Sequence, residues 1–163
     1  MGELTSADVP AVEAADHVRG EGEELIVYAD LGCPHCAAAW ERIGGLPAKI
    51  VFRHFPVASK HPRSPALHAA AEAAGRQGAF FETVDSLFAE RGRVDDPHLW
   101  ERAERFGLDL ERFEADRRSG EVAARVQRDF DSGIRAGVSG TPGIFRGGRQ
   151  VALDEIESAV SSD

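Results

Sequence analysis

The only two cysteines of this 163-residue chain stand three apart, as Cys33-Pro34-His35-Cys36, and the residues on either side restrict what the pair can do. Before them runs Leu25-Ile26-Val27-Tyr28-Ala29, apolar and partly β-branched, the pattern of a buried strand. After them come Ala37-Ala38-Ala39-Trp40-Glu41-Arg42-Ile43, strong helix formers closed by Gly44-Gly45. The pair therefore sits where a strand gives way to a helix. Unpaired backbone N–H groups and the positive end of the helix dipole face that turn, and they favour an ionised thiol there. Such a thiolate is the reagent of reversible dithiol–disulfide exchange. Zinc would need about four ligands, and the chain has no second cysteine pair. His17, His54, His61, His68 and His98 show no metal-type spacing. A purely structural disulfide would close a loop too short to gain much entropy. Redox chemistry is the reading, with metal binding or inert thiols as the alternatives.

Length and composition set the frame. A chain of this size fits one domain with its own core. The net charge of −9 excludes nucleic acid as an expected ligand. The acidic residues are dispersed, which describes a solvated surface. No stretch is long enough to span a membrane, and Met1 to Asp8 lack the basic and apolar regions of a secretory signal. The expected location is the cytoplasm, where a CxxC pair is catalytic more often than structural.

Residues 1–22 read as a weakly structured N-terminal segment. A strand near 25–30 leads through the cysteine motif into its helix, and Lys49 to Phe55 forms a second strand, closed by Pro56. Two strands joined across one helix make a parallel βαβ unit. Residues 63–135 then turn helical. Ser64-Pro65 reads as a cap and first turn, and Leu67, Ala70, Ala71 and Ala74 form one apolar face. Further helices carry Phe80 to Phe88, Leu99 to Phe106 with Trp100 inward, Asp109 to Phe113, and Val122 to Ile134. Gly147-Gly148 punctuates a hairpin, and Asp154 opens a closing helix. The division is an α/β domain of residues 23–62 and 136–163, interrupted by the helical insertion 63–135.

This order resembles the DsbA-like thioredoxin-fold family, an α/β thioredoxin fold carrying an all-helical insertion. The resemblance rests on Cys33-Pro34-His35-Cys36, Phe52-Arg53-His54-Phe55-Pro56 and Val138-Ser139-Gly140-Thr141-Pro142, and covers about residues 14–160. It implies that Cys33 is the exposed nucleophile and Cys36 the buried resolving thiol. It implies a cis bond at Thr141-Pro142 facing the cysteines, with the Thr141 backbone pairing an extended substrate segment. Pro34 and His35 are the expected tuning residues, since a cationic His35 beside Cys33 would stabilise the reduced, thiolate form.

Two positions depart from the family pattern. Val27 stands where these proteins often carry a buried glutamate, which leaves proton transfer at Cys36 unassigned. Gly143 replaces a side chain common after the proline, which would widen the groove or loosen the hairpin. Arg53-His54 reads as a solvated strand end, Asp30 as a turn residue and His61-Pro62 as a loop. The expectation is a protein-disulfide oxidoreductase with no metal or organic cofactor. Its partners would be protein thiols and disulfides, a thioredoxin-type system or a low-molecular-weight thiol. The rival readings are a glutathione-binding enzyme resembling kappa-class transferases and a non-catalytic, redox-switched binding module.

Overall fold

In the computed structural model, residues 7–161 are described; expectations for residues 1–6, 162 and 163 lie outside the described residues. The chain builds β1 (His17–Arg19), β2 (Glu23–Ala29), α1 (Pro34–Gly44) and β3 (Ala48–His54). Five helices follow: α2 (Ser64–Gly75), α3 (Phe80–Ala89), α4 (Asp96–Arg105), α5 (Leu110–Arg117) and α6 (Gly120–Arg135). The chain then returns through β4 (Gly143–Arg146), β5 (Arg149–Val151) and α7 (Leu153–Ser161). The strands form one mixed sheet in the order β1-β3-β2-β4-β5. β2 and β3 run parallel, with Leu25 opposite Ile50 and Ala29 opposite His54, and the other pairings are antiparallel.

Helices cover both faces of β2, so it needs apolar residues in succession rather than in alternation. Leu25, Val27 and Ala29 enter the larger core with Trp40, Phe52 and Leu67. Ile26 and Tyr28 enter a smaller core with Val51, Phe55 and Phe145. Gly147 and Gly148 turn the β4–β5 hairpin with φ of 57° and 82°, the left-handed pair that a two-residue type I′ turn requires.

Three local expectations are corrected. The N-terminal segment supplies β1, paired antiparallel to β3 with His17 opposite Phe52. Three residues are too few to show a strand period, and the segment is held by side chains. Arg53 clasps Asp16 at 3.1 and 3.0 Å and reaches the Pro10 and Ala11 carbonyls. Ser64 is the first residue of α2 rather than its cap, and its hydroxyl donates to Asp30 at 2.5 Å. Trp100 faces outward, its indole N–H donating to Glu114 at 2.7 Å.

Candidate active site

Strand β2 ends at Ala29, and Asp30-Leu31-Gly32 turn the chain into α1. Cys33 is the N-cap, extended at φ −91° and ψ 124°, with Pro34 in the first turn, where its missing N–H costs nothing. The Cys33 N–H donates to the Asp30 carbonyl at 3.0 Å, and the Cys33 carbonyl accepts from Ala37 at 3.1 Å. Gly32 is required by close approach: a Cβ there would lie 2.3 Å from Ser64 Oγ. The helix dipole thus points at two free thiols.

The thiols differ in surroundings. Cys36 is 1 % exposed, and the Asp30 N–H donates to its sulfur at 3.4 Å. Burial pushes the Cys36 thiol up to about 12, against the opposing pull of the Asp30 N–H and the Thr141 hydroxyl. Cys33 is 5 % exposed, more sheltered than an exposed nucleophile was expected to be. The reason is its position on the wall of a groove of about 630 Å³, opposite Val138 to Thr141. Phe55, Val57, Phe130 and Ile134 make the groove apolar, while His35, Lys60 and His61 stand on its rim. The Thr141–Pro142 peptide bond is cis.

Behind the turn lies a second group of polar residues, with Asp30, His54 and His68 fully enclosed and Glu72 and His17 toward its edge, whose protons can be placed by elimination. The Leu31 main-chain N–H can only donate, and it points at His68 Nε2 at 2.9 Å. Burial pushes His68 down to about 4, so the ring is neutral at neutral pH and its one hydrogen sits on Nδ1. That hydrogen goes to His54 Nδ1 at 2.7 Å. His54 must then carry its own hydrogen on Nε2, which donates to Glu72 Oε2 at 2.8 Å. His17 Nε2 meets the same oxygen at 2.8 Å. Burial alone would raise Glu72, but the two imidazole hydrogen bonds outweigh it and hold its carboxyl well below the usual range. Asp30 accepts from Gly32 N–H, Val57 N–H and Ser64 Oγ.

The ligand atoms of His17, His54 and Glu72 lie within 4.8 Å of one another, a spacing that could hold a metal ion. The hydrogen-bond order argues against it. His54 Nε2 has no lone pair to offer unless the chain reverses and His68 releases Leu31.

Residues 15–161 match the family model described as Thioredoxin. The chain belongs to the thioredoxin family. Its fold is DsbA-like: a thioredoxin-like oxidoreductase from Silicibacter pomeroyi superposes with a TM-score of 0.78 at 23% identity, covering 92% of each chain. The thiol-disulfide exchange protein alpha-DsbA2 from Wolbachia pipientis superposes at 0.77 and 16% identity, over 92% of this chain and 88% of its own. Among curated proteins, the Na(+)/H(+) antiporter NhaA 1 of Salinispora arenicola is 38% identical over 94% of this chain but only 26% of its own length. The chain thus spans about a quarter of the curated relatives it matches. None of its described helices is long and apolar enough to cross a membrane.

Within this thioredoxin-family frame, Cys33, Pro34, His35 and Thr141 all line the one groove, with Pro142 half-buried beside it. Val27 is core, 1 % exposed. Two sequence expectations fail here. Arg53 and His54 are not a solvated strand end: they are 3 % and 0 % exposed and wholly engaged. Gly143 does not open the groove. A Cβ at Gly143 would meet Val138 Cγ1 at 2.9 Å, so Val138 already fills that space. Sequence reasoning missed His68, Glu72 and Lys60. The first two carried a signal: spaced four apart, they fall on one face of α2.

Proposed function

We propose that the chain is a thiol–disulfide oxidoreductase in which Cys33 is the attacking sulfur and Cys36 the resolving one. The observation that carries this is the inequality of the two thiols. Cys33 lines the groove at the end of a helix dipole, whereas Cys36 is enclosed and strongly disfavours its thiolate.

Starting from the Cys33–Cys36 disulfide, a substrate thiolate attacks Cys33 Sγ, and the electron pair of the broken S–S bond leaves on Cys36 Sγ. The Cys36 sulfur then takes up a proton, because its thiol is the stable form at neutral pH. A second substrate thiolate attacks the substrate sulfur of the mixed disulfide and expels the Cys33 thiolate. Substrate ends as disulfide and enzyme as dithiol; the reverse order reduces a substrate disulfide. The apolar groove wall, with Ser139 to Thr141 along its edge, suits an extended polypeptide beside the reacting sulfur. The relative named for thiol-disulfide exchange supports the same reading.

The deciding experiment equilibrates the protein in defined glutathione or dithiothreitol buffers and measures the potential of the pair. A value near about −120 mV makes it an oxidant and near about −270 mV a reductant. Failure to form a reversible intramolecular disulfide would overturn the proposal. Cys33→Ser is expected to abolish catalysed insulin reduction, and Cys36→Ser to accumulate a mixed disulfide on Cys33.

A further inference from the structure

The groove at Cys33 is not the only hollow at the motif. Across a ridge formed by Lys60 and His61 lies a second, of about 320 Å³, floored by Leu31, Gly32 and Leu67 and bordered by Arg63 and Arg91. Lys60 and His61 line both. Asp and Glu make up 28 of the 163 residues. Among the described residues, not one of them lines either hollow. The hollow at Asp16 and Arg53, on another face, mixes both signs freely.

The charges on the ridge are also uncommitted. Arg63 is answered by Asp96 at 2.9 Å. Lys60 and Arg91 are exposed, and among the described residues neither has a carboxylate within ion-pair distance. The acidic group beneath the turn is Asp30, fully buried and taken up by three hydrogen bonds. The N-terminus of α1 adds positive potential from the same side. A chain of net charge −9 repels anions at long range, so a local field of this sign works against the whole.

We propose that the ridge and second hollow select small disulfides whose arms carry carboxylates, the class to which peptide disulfides such as oxidised glutathione belong. This rests on Cys33 being the reacting sulfur. Cys33 thiolate attacks one sulfur of the disulfide and expels the other half as a thiolate. Cys36 then attacks Cys33 Sγ and releases the bound half, leaving the protein disulfide and two small thiols. Lys60 and Arg91 hold the carboxylate of the half that stays attached. The second hollow is of a size that takes a small ligand.

The test uses three disulfides with equal two-carbon arms: 3,3′-dithiodipropionate, 2-hydroxyethyl disulfide and cystamine. Their leaving thiols differ in acidity, so each rate with the reduced protein is divided by its rate with free dithiothreitol at the same pH. The corrected rates should fall in the order anionic, neutral, cationic, with about a tenfold gap between the ends at low salt that closes as salt rises. Lys60→Gln with Arg91→Gln should bring the ratio of the anionic to the neutral corrected rate down to about one, and a ratio that stays at the parent value overturns the assignment of these two side chains. Equal corrected rates, or cystamine fastest, overturn the proposal. If Cys33 reacts with all three no faster than a free thiol, it is the exchange function that fails, not the charge selectivity alone. Oxidised glutathione, run as a fourth probe, should behave as an anion.

Discussion

The two sides of the Asp30–Gly32 turn are opposites. On the outer side, Cys33, His35, Lys60 and His61 face a groove that no acidic side chain lines among the described residues. On the inner side, His68, His54, Glu72 and His17 satisfy one another in a single order set by one main-chain N–H. Five of the six histidines are thus spent in two ways. The inner ones hold the turn, because an unpaired buried donor is costly. The outer face leaves charge unanswered, which is where a ligand gains by arriving. The lesson is that polar satisfaction, more than residue type, separates the scaffold of this site from its reactive surface.

The comparison breaks most visibly on the inner side. Glu72→Ala strands two imidazole N–H groups and removes one of the two carboxylates that face Arg125, at 3.7 Å, while Asp129 keeps its own ion pair with it. Each stranded buried donor costs about 1–3 kcal/mol, so chemical denaturation should show a loss of several kcal/mol. The outer pair Lys60→Gln and Arg91→Gln should leave the denaturation midpoint where it was. A stable Glu72→Ala protein would mean that water enters the cluster and that the two sides are not opposites.

Replacing the ring that touches the turn gives a smaller, more specific effect. His68→Phe keeps the bulk but orphans the Leu31 N–H, at about 1–3 kcal/mol. His68→Gln can return a carbonyl oxygen to that N–H and should recover part of the loss. If both variants are equally unstable, the ring packs rather than accepts.

Acid sharpens the same contrast. His68 is held near 4 in the fold, against 6.5 for the free side chain, so over that interval the unfolded chain binds the extra proton. Stability is therefore full above about pH 6.5 and declines as pH falls toward 4. Glu72, whose carboxyl is depressed, adds its own loss below about 4.5, where the unfolded carboxylate protonates first. Urea midpoints from pH 7 to 4 should fall steadily, and His68→Phe should flatten the upper half of that fall. A flat profile in the parent protein would contradict the neutral buried ring.

Much of this frame was legible from residue order. The apolar run of β2, Pro34 at the start of α1, the glycine pair of the hairpin and Asp109 capping α5 through the Arg112 N–H all follow from local rules. The inner cluster did not, although its parts obeyed periodicity. His54 shares a strand face with Ile50 and Phe52, and His68 with Glu72 lies one turn apart among alanines. Histidine and glutamate read as solvent-facing until a partner is known, and these partners come from four separate segments. β1 escaped for a related reason, since the clasp of Arg53 on Asp16 spans 37 positions. Charge isolation on the outer side is a property of what is absent from a surface, which no single segment displays.

The finest test concerns the edge where the two sides meet the groove. A Cβ placed on Gly143 would lie 2.9 and 3.0 Å from the two Val138 methyls, closer than carbon atoms pack. Gly143→Ala must push Val138, and with it the Ser139–Thr141 rim, or else shift β4 against β2. Overpacking of this kind costs about 1–3 kcal/mol. Val138→Ala alone opens a small gap and should cost less. The two changes together remove the collision, so the double variant should be more stable than the sum of the singles. The coupling in a double-mutant cycle measures the contact directly. If the losses simply add, Val138 does not bear on Gly143 and the width of the groove is set elsewhere. If they couple, the single Gly143→Ala should also slow exchange with a protein disulfide more than with 2-hydroxyethyl disulfide, because only the larger substrate needs the rim in place.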